Sequence, residues 1–349
     1  ILMNNKLRSY FPVLNSCAYF NTAYVGPMSI QLFEFRNKLE KEYLNDGDKF
    51  KIDNIERIDD FRETISGFIN SKKENTFFTS NFSTGFRYIL DLIPKKSRIL
   101  TIKDDYNSLL SGINEREFIV DDLSITFDFE IQIENQLAKK TYDILAISVV
   151  QFLSGIKVDF GLLKKIKEKY PKLIIIGDST QFIGSDLFSF KDSPFDVIIG
   201  SGYKWMLAGF GNAYMAVSDN FIKQTRSTSQ IIYEKVYAGH INFLGSASLN
   251  FSIKFLQQNN FHELIKIKKI LGNFLIEGLK DLNLINPIIK SRKNHSNIYT
   301  IIGDHNLYNK LQSHGIRCSL RGEGVRLSVH FYNSESEIDY LLKILKKSN

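Results

Sequence analysis

One lysine stands directly after an apolar run and could form a covalent bond to a ligand. Residues 197–199 predict a short buried strand, glycines punctuate the turn that follows, and Lys204 comes next, beside the only tryptophan of the chain. Burying an ammonium is costly and lowers the pKa of a lysine, which makes the amine a candidate for Schiff-base chemistry. An exposed lysine in a surface turn is the alternative that this stretch alone leaves open.

A carboxylate ends the preceding apolar run. Residues 173–177 predict a buried strand, Asp178 follows it, and Gln181 comes shortly after. A carboxylate at this place can keep a pyridine nitrogen protonated, as an electron-accepting cofactor beside a catalytic lysine would need. Without Lys204, the same aspartate is typical of a helix N-cap or a turn.

A turn rich in small polar residues lies closer to the N-terminus. Residues 75–80 predict a strand, the turn 81–85 contains Ser83, and a helix is predicted through Leu92. Because free N–H groups and the helix dipole both favour an anion at a helix start, Ser83 marks a candidate phosphate site. An ordinary Ser/Thr N-cap is the simpler explanation of this turn taken alone.

The elements that must position these residues alternate along the chain. Apolar strands are predicted at 98–102, 143–150, 173–177 and 196–200, and helices at 29–47, 55–69, 106–114 and 162–169. Such alternation predicts an α/β fold with a mostly parallel sheet that is buried on both faces. Ligands of these sheets bind beyond the carboxyl ends of the strands. The residues that fall there are Ser83, Tyr106, Gln151, Asp178, Gln181 and Lys204.

The pattern changes after about residue 230. Helices are predicted at 245–256, 263–282, 307–313 and 335–345, and strands at 298–302 and 324–330. Ser334 and Glu337 have the spacing of a capping box before the last helix. The sequence therefore predicts a large α/β domain over residues 18–244 and a smaller α+β domain formed by residues 1–17 and 245–349.

Composition excludes several other classes of protein. The 349 residues are 43% hydrophobic and 24% charged, as in soluble globular proteins. No apolar run is long enough for a membrane helix, and the first residues lack the apolar region of a signal peptide. The net charge of +7 is spread over Lys-rich helices, without a basic patch that would indicate a nucleic-acid partner. Cys17 and Cys318 lie far apart without metal-ligand spacing, which argues against a metal site and suits a reducing cytoplasm.

As an ordered set, these motifs resemble a known family. Residues 178–181 (Asp-Ser-Thr-Gln) and 201–205 (Ser-Gly-Tyr-Lys-Trp), followed by Gly-Phe-Gly at 209–211, match its Asp-x-x-Gln and Ser-x-His-Lys-x segments in order. The chain thus resembles the class V aminotransferase family of fold-type I pyridoxal-phosphate enzymes, which includes cysteine desulfurases and isopenicillin-N-epimerase-like proteins. The resemblance extends from Tyr19 to Asn333 and implies pyridoxal 5'-phosphate as cofactor.

The resemblance also implies a role for each matching residue. Lys204 would form the Schiff base and move the proton, Asp178 would pair with the pyridine nitrogen, and Tyr106 would stack on the ring where the family usually has histidine. Further contacts to the cofactor are implied for Phe82, Ser83, Gln151, Gln181, Ser201, Tyr203 and His240. His240 would reach the phosphate of a partner subunit, so a homodimer is implied. Gln151 as a plain strand-end amide and His240 as a turn residue stay open.

Substrate contacts and the reaction follow from the same resemblance. Arg326 would clamp the carboxylate of a small amino acid, together with Asn21 and Ala23. Catalysis would pass through a quinonoid, with transamination as the family's default reaction. The alternatives are a lyase, an epimerase, a desulfurase-like enzyme and a non-catalytic homologue that binds the cofactor.

Three departures from the family pattern disfavour a persulfide-forming desulfurase. Tyr203 replaces the histidine before the lysine, and Phe152 stands where desulfurases have an asparagine. The stretch 315–326 is too short for the desulfurase loop with its nucleophilic cysteine. Cys318 lies before the position of that loop, where a strand is predicted, and a lone cysteine is more often a small buried hydrophobe.

Overall fold

The computed structural model describes residues 6–54, 56–292, 295–322 and 324–347. Its strands are β1 (Ala18–Tyr19), β2 (Thr76–Thr79), β3 (Arg98–Ile102), β4 (Ile119–Leu123), β5 (Ile144–Ser148), β6 (Ile174–Asp178), β7 (Val197–Ser201), β8 (Ala213–Val217), β9 (Ile298–Ile302), β10 (Ile316–Arg317), β11 (Ser319–Arg321) and β12 (Gly324–Ser328). Its α-helices are α1 (Ile30–Asp46), α2 (Asp48–Asn54), α3 (Arg57–Ile69), α4 (Phe82–Leu90), α5 (Asn107–Asn114), α6 (Phe129–Lys139), α7 (Phe160–Lys169), α8 (Asp219–Thr225), α9 (Ser229–Val236), α10 (Phe243–Gln258), α11 (Phe261–Asp281), α12 (Pro287–Ser291), α13 (His305–Ser313) and α14 (Glu335–Lys346).

A seven-stranded sheet has the order β2-β8-β7-β6-β5-β3-β4. Neighbouring strands from β7 to β4 run parallel, and β8 is antiparallel to both of its neighbours. The α/β fold class with a mostly parallel sheet is therefore confirmed. Register places Asp178 opposite Ser148 on one side and Ile199 on the other, so three strand ends meet at one edge.

Successive residues of the central strands face two different cores. In β6, Ile174 and Ile176 pack on one face, whereas Ile175 packs on the other. Every residue of β5, β6, β7 and β8 is buried. Burial of each large aliphatic side chain contributes about 1.5–3 kcal/mol, so helices on both faces hold the strand ends in place.

Two smaller sheets bring the N-terminal segment to the C-terminal part of the chain. Strands β11, β12 and β9 form an antiparallel sheet, and β1 pairs in parallel with β10. Beyond β1, Asn21 forms a bridge with Ser328 at the end of β12. The segment after β1 therefore lies beside the strand that carries Arg326.

Most predicted elements are present, with shifted ends. The helix expected at 55–69 is α3, and Ile55 itself lies outside the described residues. The capping box at Ser334 is confirmed, since both reciprocal hydrogen bonds with Glu337 are present. Helix α10 crosses residue 244, where a domain boundary is predicted, and that division stays a prediction.

One element that the sequence pattern missed, β4, was missed for an identifiable reason. Strand β4 is an edge strand of sequence Ile-Val-Asp-Asp-Leu with no fully buried residue, so it lacks an apolar run. Cys318 lies between β10 and β11 and not within a strand, which corrects that detail of the prediction. Among the described residues, no helix is both long and apolar enough to cross a membrane.

Candidate active site

A cavity of about 100 Å³ opens at the carboxyl ends of β5, β6 and β7. It brings together eight residues that the sequence analysis selected: Phe82, Ser83, Tyr106, Asp178, Gln181, Ser201, Tyr203 and Lys204. They come from four separate stretches of the chain, and the strand order alone places them side by side. The parallel sheet thus forms its site where such sheets bind ligands.

Lys204 sits in a turn that is fixed from outside by the N-terminal segment. The Gly26 N–H donates to the carbonyl of Tyr203 at 2.9 Å. A Cβ atom on Gly26 would lie 2.1 Å from the Lys204 carbonyl oxygen, so only glycine lets the two backbones approach this closely. The side chain of Lys204 is therefore held at the cavity by residues far away in sequence.

Lys204 is buried, with 8% of its surface exposed, so it is not the exposed turn residue that the sequence alone left open. Burial lowers the pKa of its amine to about 8, against the opposing charge of Asp178. The nearby Arg326 and Arg321 lower the same pKa further. At mildly alkaline pH a substantial fraction of this amine is uncharged, as a nucleophile or a proton acceptor requires.

Asp178 ends β6 at the floor of the cavity. Burial raises the pKa of its carboxyl to about 6, although the hydroxyl and N–H of Thr180 favour the charged form. The Thr180 N–H donates to Asp178 Oδ1 at 2.9 Å. A buried carboxylate of this kind gains most from a cation placed against it. A protonated ring nitrogen is such a cation.

Aromatic rings form one wall of the cavity. The ring centroid of Tyr106 lies 5.7 Å from that of Phe152 and 6.1 Å from that of Phe82. The Nζ atom of Lys204 lies 5.9 Å from the Tyr106 centroid. Tyr106 is therefore placed to cover a flat ring bound next to the lysine.

The start of α4 provides hydrogen-bond donors at the opposite end. The side chain of Asn81 caps the helix by accepting from the Thr84 N–H at 2.9 Å. The Phe82 N–H donates to Ser201 Oγ at 2.9 Å, which ties β7 to the helix start. An N-cap and a candidate anion site thus coexist in one turn, with the Ser83 and Ser201 hydroxyls at the helix start.

Gln181 is oriented by two fixed groups. Its Nε2 donates to the Ala23 carbonyl at 2.8 Å, and its Oε1 accepts from the indole N–H of Trp205 at 2.8 Å. Because the amide has two N–H donors, one remains for a ligand oxygen in the cavity.

Two residues selected for substrate contact carry buried polar atoms without a partner among the described residues. These atoms are Oδ1 of Asn21 and Nε of Arg326. Arg326 is 2% exposed, its Nη1 donates to the Phe152 carbonyl at 2.8 Å, and burial lowers its pKa to about 9. Buried polar groups of this kind are normally satisfied, so the pair fits a ligand that carries its own hydrogen-bonding groups.

The structure leaves two of the residues selected for the cofactor, Gln151 and His240, outside the cavity lining, and the three selected for the substrate, Asn21, Ala23 and Arg326, do not line it either. Gln151 uses its amide to build a loop, since Oε1 accepts from the N–H groups of Leu153 and Ser154 and Nε2 donates to the Asp104 carbonyl. His240 is exposed and lies 3.4 Å from Lys51 Nζ, in an open groove elsewhere on the chain. The strand-end amide fits the environment of Gln151 better than a cofactor contact does.

Three further residues belong to the site although the sequence analysis gave them no role. Asp105 is fully buried and accepts from the N–H and hydroxyl of Ser148 and from the Tyr106 N–H, and burial raises its pKa. Arg321 lies over the ring of Tyr24 at 4.9 Å, close enough to lower the pKa of Lys204. The position of Asp105 directly before Tyr106, and of Ser148 at a strand end, were the available signals.

The geometry agrees with a comparison against protein families. The family model described as aminotransferase class-V matches residues 34–341. The chain belongs to the class V aminotransferase family. The resemblance, the fold-type I architecture and pyridoxal 5'-phosphate as cofactor are thereby confirmed at the level of the family. No curated protein sequence matches the chain.

Solved structures show how the class V fold is shared. The apo cysteine desulfurase from Thermococcus onnurineus NA1 superposes with a TM-score of 0.83 at 17% identity, covering 99% of this chain and 97% of that one. The complex of the cystine C-S lyase C-DES with its reaction product cysteine persulfide gives 0.86 at 15% identity, covering 96% and 98%. The cysteine desulfurase CsdA from Escherichia coli gives 0.81 at 13% identity, covering 99% and 98%. At these identities the likeness shows the fold.

The residues present fit the class V cofactor. The cavity pairs a buried lysine with a buried carboxylate and ends at a helix start, and its lining residue Phe152 accepts a hydrogen bond from Arg326. Among the described residues, no group of three or more His, Cys, Asp or Glu side chains could hold a metal ion.

Proposed function

We propose that this class V enzyme is a pyridoxal-phosphate-dependent lyase that breaks the C–S bond of a cysteine-type amino acid by β-elimination. The observation that carries the proposal is the separation of Lys204 and Asp178, which share the cavity, from both cysteines, which do not line it. The solved structures above, named as cysteine desulfurases and a cystine C-S lyase, support sulfur amino acids as the substrate class.

Each end of the cofactor has a set of residues that would hold it. The N–H of Ser83 and the hydroxyls of Ser83, Ser201 and Tyr203 would bind the phosphate, and the Phe82 N–H would hold the Ser201 hydroxyl in place. Asp178 would keep the pyridine nitrogen protonated, Gln181 would donate to the phenolic oxygen, and Tyr106 would cover the ring. Bound pyridoxal phosphate supplies an electrophilic carbonyl carbon and an electron-withdrawing ring.

Lys204 would perform the proton transfers at the substrate. Its lowered pKa lets the uncharged Nζ take the proton from the α-carbon of the amino acid. The resulting ammonium would be the proton donor for the departing sulfur. The carboxylate of Asp178 would stabilise the positive charge of a protonated ring nitrogen.

Arg326 and Asn21 would position the substrate. The unpartnered Nε of Arg326 and its guanidinium suit the planar α-carboxylate, and Oδ1 of Asn21 is available to accept from an N–H of the ligand. Ala23 contributes through its backbone, since its carbonyl fixes the amide of Gln181. Clamping the carboxylate sets the orientation of the bond that breaks.

A cysteine nucleophile on the enzyme is not part of this proposal. The Cys318 thiol is buried, and burial raises its pKa to about 12, which opposes the thiolate that persulfide formation needs. Cys17 precedes β1, and its thiol lies 3.3 Å from the Val13 carbonyl. β-Elimination of cysteine with water yields pyruvate, ammonia and hydrogen sulfide, and needs no enzyme thiol.

The test is a product assay on the cofactor-loaded protein with cysteine and with cystine. We expect pyruvate from both, with sulfide from cysteine, and no product from the Lys204→Ala variant. Cys17→Ser and Cys318→Ala should keep at least half of the activity. Amino-group transfer to an added 2-oxo acid without pyruvate release would establish the transamination of the sequence analysis instead. Loss of sulfide release in Cys318→Ala, with the fold retained, would establish a desulfurase.

The homodimer is a second part of the proposal. His240 does not line the cavity of its own chain, as expected for a residue that serves the partner's phosphate. Phe210 is 64% exposed, yet its ring lies 5.4 Å from that of Tyr203 at the cavity. Such an apolar side chain beside the site suits an interface between subunits.

Cysteine usage favours the cytoplasm as the compartment.

A further inference from the structure

A second cavity lies between the large sheet and helix α11. It has a volume of about 350 Å³ and is lined by the segments around Lys157 and Asp186, by α11 from Lys268 onwards, and by residues near Tyr299 of β9. Its volume is within the range of about 300–1,000 Å³ that is usual for small-molecule sites. Val150 lines both this cavity and the active-site cavity.

The described lining carries an excess of positive charge. Two carboxylates line the cavity: Glu277 pairs with Lys280, and Asp186 lies among the three lysines Lys157, Lys268 and Lys269. Lys157 and Lys269 bind the two oxygens of Asp186 at 2.8 Å and 3.0 Å. Lys290 adds a further positive charge to the lining. The cluster therefore favours a ligand with more than one negative charge.

Lys268 is the buried member of this cluster. It is 3% exposed, and its Nζ donates to Oδ1 of Asn297 at 3.1 Å and lies 5.3 Å from the ring of Trp205. No carboxylate among the described residues forms an ion pair with it. The charge of Asp186 acts on this ammonium, but its only hydrogen-bond partner among the described residues is one amide oxygen, so it lacks the directly bound carboxylate that buried lysines normally have.

We infer that this cavity binds a small polyvalent anion, of which a phosphate group is the simplest form. Lysines act on phosphate as point charges and need no planar fork, which matches a site with several ammonium groups around an open volume. The anion supplies the directly bound counter-charge that Lys268 lacks. Lys268 lies against Trp205, and Trp205 binds Gln181 in the active-site wall. An anion bound beside Lys268 therefore also affects the surroundings of Trp205 and Gln181.

The experiment is calorimetric titration of the cofactor-loaded protein with pyrophosphate and with inorganic phosphate, at pH 7 and 150 mM salt. The cofactor fills the phosphate-binding turn at Ser83, so the titration reports on another site. We expect one saturable site for at least one of the two anions, with the emission of the only tryptophan changing at the same midpoint. Tighter binding of inorganic phosphate would indicate a site for free phosphate, whereas tighter binding of pyrophosphate would indicate a site for a larger phosphorylated molecule.

Two charge reversals on the same helix provide the matched control. Lys269 lines the cavity with 55% of its side chain exposed, whereas Lys266 lies outside it with 70% exposed. Lys269→Glu should weaken binding at least tenfold, and Lys266→Glu should leave it within twofold. Lys268→Met should weaken binding as well and should abolish the fluorescence change.

Three results would overturn the proposal. The first is that neither anion binds at 150 mM salt. The second is equal weakening by Lys266→Glu and Lys269→Glu, which indicates general attraction to a basic surface. The third is undiminished binding in Lys268→Met. The reaction catalysed by Lys204 does not enter any of these readouts, so the anion site stands or falls separately from the proposed lyase activity.

Discussion

The indole N–H of Trp205 and Oε1 of Gln181 are 2.8 Å apart, and this bond decides which end of the Gln181 amide faces the cavity. Because an indole nitrogen only donates, the amide oxygen must turn towards Trp205 and the NH2 group towards Ala23 and the cavity. The residue directly after Lys204 thus orients a second residue of the site.

Trp205→Phe should reveal how much this hydrogen bond contributes to stability. The change leaves Gln181 Oε1 buried without a donor and opens space in the core, so we expect the free energy of unfolding of the apoprotein to fall by about 2–4 kcal/mol. Urea unfolding measures it. The Trp205→Phe/Gln181→Met double variant should lose less free energy of unfolding than the sum of the losses in the two single variants, by about 1 kcal/mol or more. Strict additivity would show that the two side chains do not act together.

Arg326→Gln should act on substrate binding. Removal of the guanidinium deletes the proposed carboxylate clamp, so KM should rise by about 10²-fold while kcat changes much less. Arg317→Gln is the matched control, since Arg317 lies on β10 in the two-stranded sheet and is exposed. Steady-state kinetics with the substrate found in the product assay separates the two constants. An unchanged KM in Arg326→Gln would remove Arg326 from this role.

Lys268→Met should change how stability depends on pH. Burial lowers the pKa of the Lys268 ammonium from 10.5 to about 7. Between these values the unfolded chain holds a proton that the folded chain has released, so the free energy of unfolding rises with pH across this window. Below pH 7 both states hold the proton and the full destabilisation is present. The apoprotein variant should therefore exceed the wild type in stability by up to roughly 4 kcal/mol at pH 6, with the gap nearly closed by pH 10.

Urea unfolding at pH 6, 8 and 10 checks this prediction. Lys266→Met, on the solvent side of the same helix, should show no pH-dependent difference from the wild type. A stability difference for Lys268→Met that stays constant across the three pH values would contradict the buried, weakly basic state of Lys268.

Phe210→Asp should dissociate the proposed homodimer. A carboxylate at the centre of an apolar interface is costly to desolvate, so the variant should sediment as a monomer and lose most of its activity. Phe127→Asp is the control, because Phe127 is 62% exposed and does not line the active-site cavity. If wild type and Phe210→Asp sediment alike, Phe210 is outside any subunit interface.

The sequence alone was sufficient for the features that local pattern encodes. The apolar runs before Asp178 and Lys204 predicted neighbouring buried strands, and the polar turn at Ser83 predicted a helix start with free donors. The order of these motifs along the chain was enough to predict the family and the cofactor, because each motif must follow the strand that places it at the site.

Tertiary structure decided everything that depends on contact between distant segments. Gly26 reaches the Lys204 backbone, Asp105 reaches Ser148, and Arg321 approaches Lys204, and none of these pairings has a signature in the local sequence. Gln151 and His240 matched motif positions, yet loop geometry and chain topology place both outside the cavity lining. The physical reason is that hydrophobic periodicity records which face of an element is buried, whereas the identity of the groups that meet at a site depends on how the elements pack.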